Sequence, residues 1–327
     1  MRSIFRLARV LPATALAAAF CLPMAAAQAQ DYPSKPVRVI VGMAPGGSND
    51  TVARLVSAEL SKSMKQPFIV ENKPGANSVI ATTELSKSAP DGHTLMLVIS
   101  SHVTNTLLYP KLAYTLDDFA PVSLIADTPF ILVANPGFKP DSVAELVTLA
   151  KAEQGAIDFG SPGLGSTQHI SLELMNQLAG TKMNHIPYKG GAPAQSDVLG
   201  GVIPLIFATP AQSLPFVKEN KLKALGVSSR ERLALLPDVP TIAESGIDGY
   251  EATVWFGIIA PKGTPQPVVD RLSKEIARVV ATDEVRNNLQ GMGLDPVGSD
   301  PAQFQQLLDQ ELDKWSEVIK TSGLKFE

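Results

Sequence analysis

The sequence predicts an α/β fold with two lobes. Apolar runs of strand length alternate with helical patterns along the chain, which is typical of an α/β sheet. The first of these runs is almost wholly apolar and β-branched, as expected of a parallel strand covered on both faces. The chain has 327 residues, of which 45% are apolar. At roughly 150 residues per domain, this length indicates two lobes.

The first 29 residues are interpreted as a secretory signal peptide outside the fold. Arg2, Arg6 and Arg9 give it a positive start, residues 10–24 form an apolar middle, and Ala27-Gln28-Ala29 fits a cleavage site of small residues. No later segment approaches the roughly 20 apolar residues that a bilayer-spanning helix needs. We therefore expect a soluble protein that is exported to the periplasm.

Composition and charge exclude several classes of protein. Cys21 is the only cysteine and lies inside the predicted signal peptide, so the mature chain should have no disulfide, thiolate metal site or cysteine nucleophile. Removal of the signal peptide takes away three arginines and no acidic residue, which changes the formal charge from −4 to −7. An acidic chain does not attract nucleic acid or anionic membranes. If the ligand is an anion, local donors must attract it.

Residues 37–50 have the pattern of a buried strand, a glycine turn and a helix start. The strand covers 37–41, Pro45-Gly46-Gly47 forms the turn, and a residue of Ser48-Asn49-Asp50 can cap the helix that follows. A helix N-terminus behind such a loop can bind a carboxylate or a phosphate, although a plain strand-to-helix turn has the same pattern. No Lys-Ser/Thr pair follows the glycines and no G-x-G-x-x-G is present, which disfavours a nucleotide site.

Two further strands end in polar loops. Residues 67–72 lead into a polar loop at 73–78, which precedes a helix through about Ser88. Residues 94–99 form a third buried strand that ends on Ser100-Ser101. In open α/β sheets, ligands bind beyond the carboxyl ends of the strands. The three loops could therefore meet at one crevice.

The second half of the chain repeats this plan. After a helix at 142–153, capped by Asp141 or Ser142, a strand at 157–160 feeds a loop at 161–169 and another helix. Ser166-Thr167 occupies the expected N-cap, so capping alone is the alternative to ligand binding there. Further strands are predicted at 183–191, where the strand runs into a glycine turn before a helix at 192–199, and at 204–209 and 223–229.

Two extended stretches are interpreted as crossings between the lobes. The first lies within 119–134, at about 125–130, and the second returns the chain within 250–261. The tail is predicted to be helical at 267–282, 283–292 and 301–322. The predicted boundaries are a signal peptide at 1–29, lobe 1 at 30–127 and 251–327, and lobe 2 at 128–250.

Several motifs occur in order along the mature chain. They are Pro45-Gly46-Gly47-Ser48-Asn49-Asp50, Pro90-Asp91-Gly92-His93-Thr94-Leu95, Asp118-Phe119-Ala120-Pro121-Val122, Gly160-Ser161-Pro162-Gly163-Leu164-Gly165-Ser166, His185-Ile186-Pro187-Tyr188-Lys189-Gly190-Gly191-Ala192-Pro193-Ala194, Leu236-Pro237-Asp238-Val239-Pro240-Thr241 with Gly246, Trp255-Phe256-Gly257, and Ala260-Pro261-Lys262-Gly263-Thr264-Pro265. Through these motifs the chain resembles the periplasmic solute receptors of the tripartite tricarboxylate transporter family, also called the Bug or TctC family, over essentially its whole mature length.

The resemblance implies a type II periplasmic binding protein fold. The same resemblance implies that the protein delivers its ligand to inner-membrane transporter subunits. It also implies a carboxylate held between the first-lobe glycine loop and the loop at 163–167, partly through ordered water. Two positions depart from the family pattern. Gly75-Ala76-Asn77-Ser78 replaces a loop richer in glycine and adds two side chains that can form hydrogen bonds. Pro204 stands where an aspartate is usual, a change for which we have no functional account.

The predicted site binds an organic acid, but the sequence does not distinguish dicarboxylates, citrate-like acids, amino acids and aromatic acids. The candidate ligand-binding residues are Gly46, Gly47, Ser48, Asp50, Asn77, Ser78, Ser100, Ser161, Gly163, Gly165, Ser166, Thr167, His169, Gly190 and Thr209. No catalytic residue, metal ligand or cofactor is predicted, and a monomer is expected.

Two other functions stay open as alternatives. A signalling receptor that presents its ligand to a sensor protein would have the same fold. An exported hydrolase is disfavoured, because no serine lies in a G-x-S-x-G elbow and the four histidines form no H-E-x-x-H motif. Of these histidines, only His169 is expected to lie near the ligand, because it follows the Ser166 loop directly.

Overall fold

The strands and helices of residues 32–324 are described by a computed structural model. The predicted signal peptide and its cleavage site lie outside the described residues. The strands are β1 (Val37–Val41), β2 (Phe68–Asn72), β3 (Thr94–Ile99), β4 (Phe119–Pro129), β5 (Ile131–Ala134), β6 (Asp158–Ser161), β7 (Asn184–Pro187), β8 (Leu205–Ala208), β9 (Lys223–Val227), β10 (Thr253–Pro261) and β11 (Asp295–Pro296). The helices are α1 (Ser48–Met64), α2 (Val79–Ser86), α3 (Ser101–Leu108), α4 (Val143–Ala152), α5 (Thr167–Ala179), α6 (Gly191–Leu199), α7 (Pro210–Lys218), α8 (Gln266–Val280), α9 (Asp283–Gly291) and α10 (Pro301–Ser322).

The first sheet has the strand order β11-β4-β10-β3-β1-β2. Its β1 pairs in parallel with β2 and β3, whereas β10 runs antiparallel to β3 and β4. Four of the five β1 residues are buried, which explains a strand made almost wholly of valine and isoleucine. The exception, Arg38, is half-buried and binds the carboxylates of Glu71 at 2.7 Å and Glu84 at 2.9 Å.

The second sheet has the strand order β7-β6-β8-β5-β9. Here β6 pairs in parallel with β7 and β8, and β5 runs antiparallel to β8 and β9. Each sheet therefore combines parallel strands with a strand of opposite direction that the chain supplies at a crossing. The two mixed sheets confirm the predicted two-lobed α/β fold.

Ser228 joins the two crossings of the chain. β4 ends in the first sheet at Pro129 and β5 begins in the second at Ile131, with only Phe130 between them. The Ser228 hydroxyl accepts a hydrogen bond from the Phe130 N–H at 2.7 Å and donates one to the Ala252 carbonyl at 2.5 Å. The chain passes from one sheet to the other close to the predicted lobe boundaries. These boundaries stay a prediction.

The tail helices lie close to their predicted positions and help to bury Trp255 of β10. The Trp255 ring packs edge-on against Phe304 of α10 at a centroid distance of 5.5 Å. The buried carboxylate of Glu311 accepts hydrogen bonds from the indole N–H groups of Trp255 at 3.2 Å and Trp315 at 2.8 Å. Besides the first sheet, α10 also contacts α5, which follows β6 of the second sheet.

Two helices were absent from the prediction, namely α3 and α7. Both directly follow strands of the sheets and begin at the edge where the polar loops lie. Among the helices of residues 32–324, none is both long enough and apolar enough to cross a membrane.

Candidate functional site

A cleft of about 700 Å³ lies beyond the carboxyl ends of strands from both sheets. Its lining includes the first-turn or N-cap residues of five helices, namely Ser48 of α1, Ser101 of α3, Thr167 of α5, Gly191 of α6 and Thr209 before α7. The first N–H groups of a helix have no partner within the helix and carry its positive dipole end. Five such ends at one cleft favour a negatively charged ligand.

The side chains of the cleft reinforce this preference. Lys189 is the one charged side chain that lines the cleft in the described part of the chain, and no described acidic side chain does so. Sequence reasoning missed Lys189 as a site residue, although it directly precedes the predicted Gly190 turn. Ile99, Val254 and Phe256 form an apolar part of the lining, which suits the carbon skeleton of an organic acid.

The first loop presents Gly46, Gly47 and Ser48 to the cleft. The prediction that Ser48, Asn49 or Asp50 caps α1 is wrong, because Gly47 occupies the N-cap position and offers no side chain. The free N–H groups of α1 therefore have no side-chain acceptor from an N-cap residue.

Asp50 lies behind the first loop rather than in the cleft lining. Its buried carboxylate accepts hydrogen bonds from the Gly46 N–H at 2.9 Å, from Arg54 at 3.0 Å and from Asn72 at 2.9 Å. The hydrogen bond from Arg54 is the main cause that lowers the pKa of Asp50 to about 2. These bonds give Asp50 a role in holding the loop.

The second loop contains three consecutive side-chain-bearing residues with left-handed backbone. The φ angles of Ala76, Asn77 and Ser78 are 45°, 50° and 74°, a conformation that costs L-residues roughly 1–2 kcal/mol each. Asn77 lines the cleft, whereas Ser78 is buried and donates to the Gly42 carbonyl at 3.2 Å. A Cβ atom on Gly42 would lie 2.4 Å from the Ser78 Cβ, so glycine is required there.

Asn105 of α3 stabilises this strained loop. The Asn77 side-chain amide donates to the Asn105 Oδ1 at 3.0 Å, and the Asn105 amide donates to the Asn77 carbonyl at 2.8 Å. The departure from the glycine-rich family pattern thus places an asparagine side chain at the cleft and ties it to α3.

The loop at 161–169 divides into residues that line the cleft and residues that support them. Ser166 and Thr167 line the cleft, and Ser166 also caps α5 by accepting from the His169 N–H at 3.3 Å. Ser161, Gly163 and Gly165 lie behind them: the Ser161 hydroxyl binds both the N–H and the carbonyl of Gly163 at 3.1 and 3.0 Å. The capping role of Ser166 is confirmed, and its location in the lining leaves ligand contact open.

His169 is 2% exposed and stacks on His185 with ring centroids 3.6 Å apart. Its Nδ1 accepts a hydrogen bond from the Gly165 N–H at 3.1 Å, and the His185 Nε2 lies 2.5 Å from the Ser161 hydroxyl. Burial lowers the pKa of His169 to about 3, with a further contribution from the neighbouring His185, and burial lowers that of His185 to about 4. Both rings are therefore neutral supports of the loop at neutral pH.

We expect this histidine pair to make the protein less stable as the pH falls from about 6.5 to 4. In the unfolded chain both histidines take up protons near pH 6.5, whereas the folded pair stays neutral to lower pH. The unfolded state then binds more protons, so the free energy of unfolding decreases as the pH falls. Chemical denaturation at pH 7, 6 and 5 measures this slope.

The control for this slope is the His185→Gln variant. Asp127 and Glu173 have pKa values raised by burial and act in the opposite direction, so the wild-type slope alone does not isolate the pair. The difference between the slopes of wild type and variant isolates the contribution of His185. Equal slopes in the two proteins would contradict the buried, neutral pair.

The remaining predicted residues lie at two helix starts. Gly190 is the N-cap of α6, and its N–H donates to the Pro162 carbonyl at 2.9 Å. Thr209 is the N-cap of α7 and forms a capping box with Gln212. Both line the cleft, as does Gln212. By contrast, Ser100 is directed to the backbone of β10, where it bonds Thr253 and Trp255 at 3.3 Å each.

Two mixed sheets joined by two crossings, with a cleft of helix N-termini between them, define the class of two-lobed solute-binding proteins. The sequence model of the tripartite tricarboxylate transporter family receptor matches residues 52–324, and the chain belongs to this family. The protein BugT of Bordetella pertussis is 36% identical over 302 residues, which cover 91% of this chain and 93% of BugT. The predicted family is thereby confirmed.

Solved structures of such proteins are similar to the chain over most of its length. Rpa4515 of R. palustris, in a structure with adipate, has a TM-score of 0.80 at 33% identity, and the match covers 90% of this chain and 99% of that one. MatC from Rhodopseudomonas palustris, in a structure with bound malate, has a TM-score of 0.77 at 33% identity over 88% of this chain and 100% of that one. The periplasmic binding protein fold predicted from the sequence is confirmed.

Proposed function

We propose that this protein is a periplasmic receptor that binds a small carboxylate in the cleft and delivers it to the inner-membrane subunits of a tripartite tricarboxylate-type transporter. The observation that carries the proposal is the lining of the cleft, where five helix N-termini and Lys189 meet without an acidic side chain among the described residues. Helix N-termini bind carboxylates directly through free N–H groups. The adipate of Rpa4515 and the malate of MatC support the choice of ligand.

The proposed contacts are those predicted residues that also line the cleft. They are Gly46, Gly47, Ser48, Asn77, Ser166, Thr167, Gly190 and Thr209. Asp50, Ser78, Ser161 and His169 act indirectly, because each is hydrogen-bonded within the loops that carry the contacts.

Lobe 1 comprises residues 30–127 and 251–327, and lobe 2 comprises residues 128–250.

A carboxylate that binds between the lobes should raise the melting temperature by several degrees. At a hundredfold excess over its dissociation constant, a ligand specific for the folded state adds about 2.7 kcal/mol to the free energy of unfolding. In domains of about 150–250 residues, each kcal/mol shifts the melting temperature by roughly 2–4 °C. A thermal-shift screen of dicarboxylates, citrate, amino acids and aromatic acids measures the effect, and mass spectrometry identifies any acid retained through purification.

The control for this screen is the neutral derivative of each acid that binds. The amide and the methyl ester should give little stabilisation, because helix N-termini and hydroxyl donors favour a charged oxygen pair. The acid should also be recovered unaltered after long incubation, since the protein is proposed to bind and not to transform it. Equal stabilisation by acid and ester would contradict a carboxylate receptor.

A pull-down from membranes separates transport from sensing. Ligand-loaded protein should retain the inner-membrane subunits of a tripartite transporter. Retention of a membrane sensor protein instead would support the signalling receptor.

Light scattering of the purified protein tests the expected monomer.

A further inference from the structure

Ser100 and Ser101 are adjacent serines with different surroundings. The Ser100 hydroxyl donates to the Thr253 carbonyl and accepts from the Trp255 N–H, so it fastens β10 to the end of β3. Ser101 is the first residue of α3 and lines the cleft. It is 2% exposed, yet its hydroxyl has no hydrogen-bond partner among the described residues.

A buried hydroxyl without a partner is unfavourable, because folding removes its bonds to water and supplies nothing in return. Most buried polar side-chain atoms in folded proteins have a partner. The hydroxyl of Ser101 lies where the first N–H groups of α3 also lack acceptors within the helix. An oxygen atom of a bound ligand would accept hydrogen bonds at this position from both sources.

The neighbours of Ser101 indicate which part of a ligand reaches it. Ile99 precedes it by two residues and is the register partner of Phe256 in β10, so both side chains lie on one face of the sheet. Val254 lies on the same face, two residues before Phe256. All three line the cleft and form an apolar wall beside Ser101. A carbon chain against this wall would end at Ser101.

Asn77 lines the same cleft as Ser101. One amide hydrogen of Asn77 is donated to the Asn105 Oδ1 at 3.0 Å. Since Asn105 belongs to α3, the Asn77 side chain and the start of α3 are held by one helix. A polar group of the ligand therefore meets a fixed hydroxyl, a fixed amide and a helix N-terminus.

We propose that Ser101 is a specificity-determining residue, which binds a second oxygen-bearing group of the ligand at the end remote from its first carboxylate. The proposal rests on the proposed carboxylate-receptor function and names the class of acid that the cleft selects. Acids that carry a second carboxylate, hydroxyl or carbonyl group use the Ser101 hydroxyl. Acids that end in a plain hydrocarbon bind without it.

The test compares Ser101→Ala with Ser100→Ala and wild type. The probes are adipate, malate and citrate, which carry further oxygen groups, together with hexanoate and benzoate, which carry one carboxylate only. Ser101→Ala should lower the affinity for the first three about tenfold, the effect of one hydrogen bond to a charged group. Its affinity for hexanoate and benzoate should equal that of wild type. Adipate and hexanoate form a matched pair, because both have six carbons.

The melting temperature of the ligand-free proteins provides a second measurement. Ser101→Ala should melt at or above the wild-type temperature, because it removes a buried hydroxyl that has no partner. Ser100→Ala should melt lower, because it removes two hydrogen bonds to β10. A lower melting temperature for Ser101→Ala, or equal affinities of Ser101→Ala and wild type for adipate, malate and citrate, would overturn the proposal.

A failure of the carboxylate-receptor function can be told apart from a failure of the proposal for Ser101. If no probe raises the melting temperature of wild type, the carboxylate-receptor function fails for these acids. The melting temperature of ligand-free Ser101→Ala then still decides whether the hydroxyl has a structural partner, since that measurement needs no ligand.

Discussion

Replacing Gly47 by aspartate should lower the affinity for the carboxylate ligand by at least a hundredfold. The new carboxylate would lie at the N-cap of α1, inside the cleft lining. Two like charges about 4 Å apart repel by about 4 kcal/mol at an effective dielectric constant of about 20. An N-cap aspartate also accepts hydrogen bonds from the helix N–H groups that the ligand would otherwise use. Calorimetric titration with an acid from the screen measures the loss.

The fold should tolerate this substitution. The backbone of Gly47 has φ −80° and ψ 172°, which any residue adopts, and a Cβ atom there would lie 3.9 Å from the Ala44 carbonyl oxygen. Since aspartate is a good N-cap, the ligand-free variant should melt at or above the wild-type temperature.

The matched control is Gly47→Asn, which has nearly the same shape and capping ability without the charge. Its affinity should lie between those of wild type and Gly47→Asp. Near-normal binding by Gly47→Asp would place the anion elsewhere than at the start of α1.

The parts of the fold that could be predicted from the sequence are those whose burial leaves a periodic pattern. β1 and α10 were predicted within a residue of their bounds, because β1 is apolar at every position except Arg38 and α10 has a regular apolar stripe. The sequence pattern does not predict α3, because its sequence, Ser-His-Val-Thr-Asn-Thr-Leu-Leu, is largely polar although most of it is buried. The sequence pattern does not predict α7 either, because α7 begins with Pro210 and contains Pro215, and prolines at this spacing usually indicate a loop.

For the site, the sequence identified loops that line the cleft but could not separate lining residues from supporting ones. The direction of a side chain in a loop depends on backbone angles that no residue pattern prescribes. The positive φ angles at 76–78 bring Asn77 to the cleft and bury Ser78. Likewise, Ser101 at the start of α3 lies in the cleft lining, whereas the hydroxyl of the preceding Ser100 is hydrogen-bonded to the backbone of β10. Ligand contact by each of these residues stays a prediction.

Thr167→Val should weaken carboxylate binding by roughly tenfold or more without changing the stability of the ligand-free protein. Thr167 is the first residue of α5, is 5% exposed and lines the cleft. A hydrogen bond to a charged oxygen contributes about 1.5–3 kcal/mol, and every 1.4 kcal/mol corresponds to a tenfold change in affinity. Valine keeps the branched shape of threonine and removes the hydroxyl alone.

Two companion variants separate ligand contact from helix capping. Thr167→Ser keeps the hydroxyl and should bind nearly as well as wild type. Ser166→Ala removes the cap of α5, since the Ser166 hydroxyl accepts from the His169 N–H, and should lower the free energy of unfolding by about 0.5–2 kcal/mol. If Thr167→Val binds the acid as tightly as Thr167→Ser, the start of α5 contributes its backbone and dipole to the carboxylate, and the Thr167 hydroxyl is not a contact.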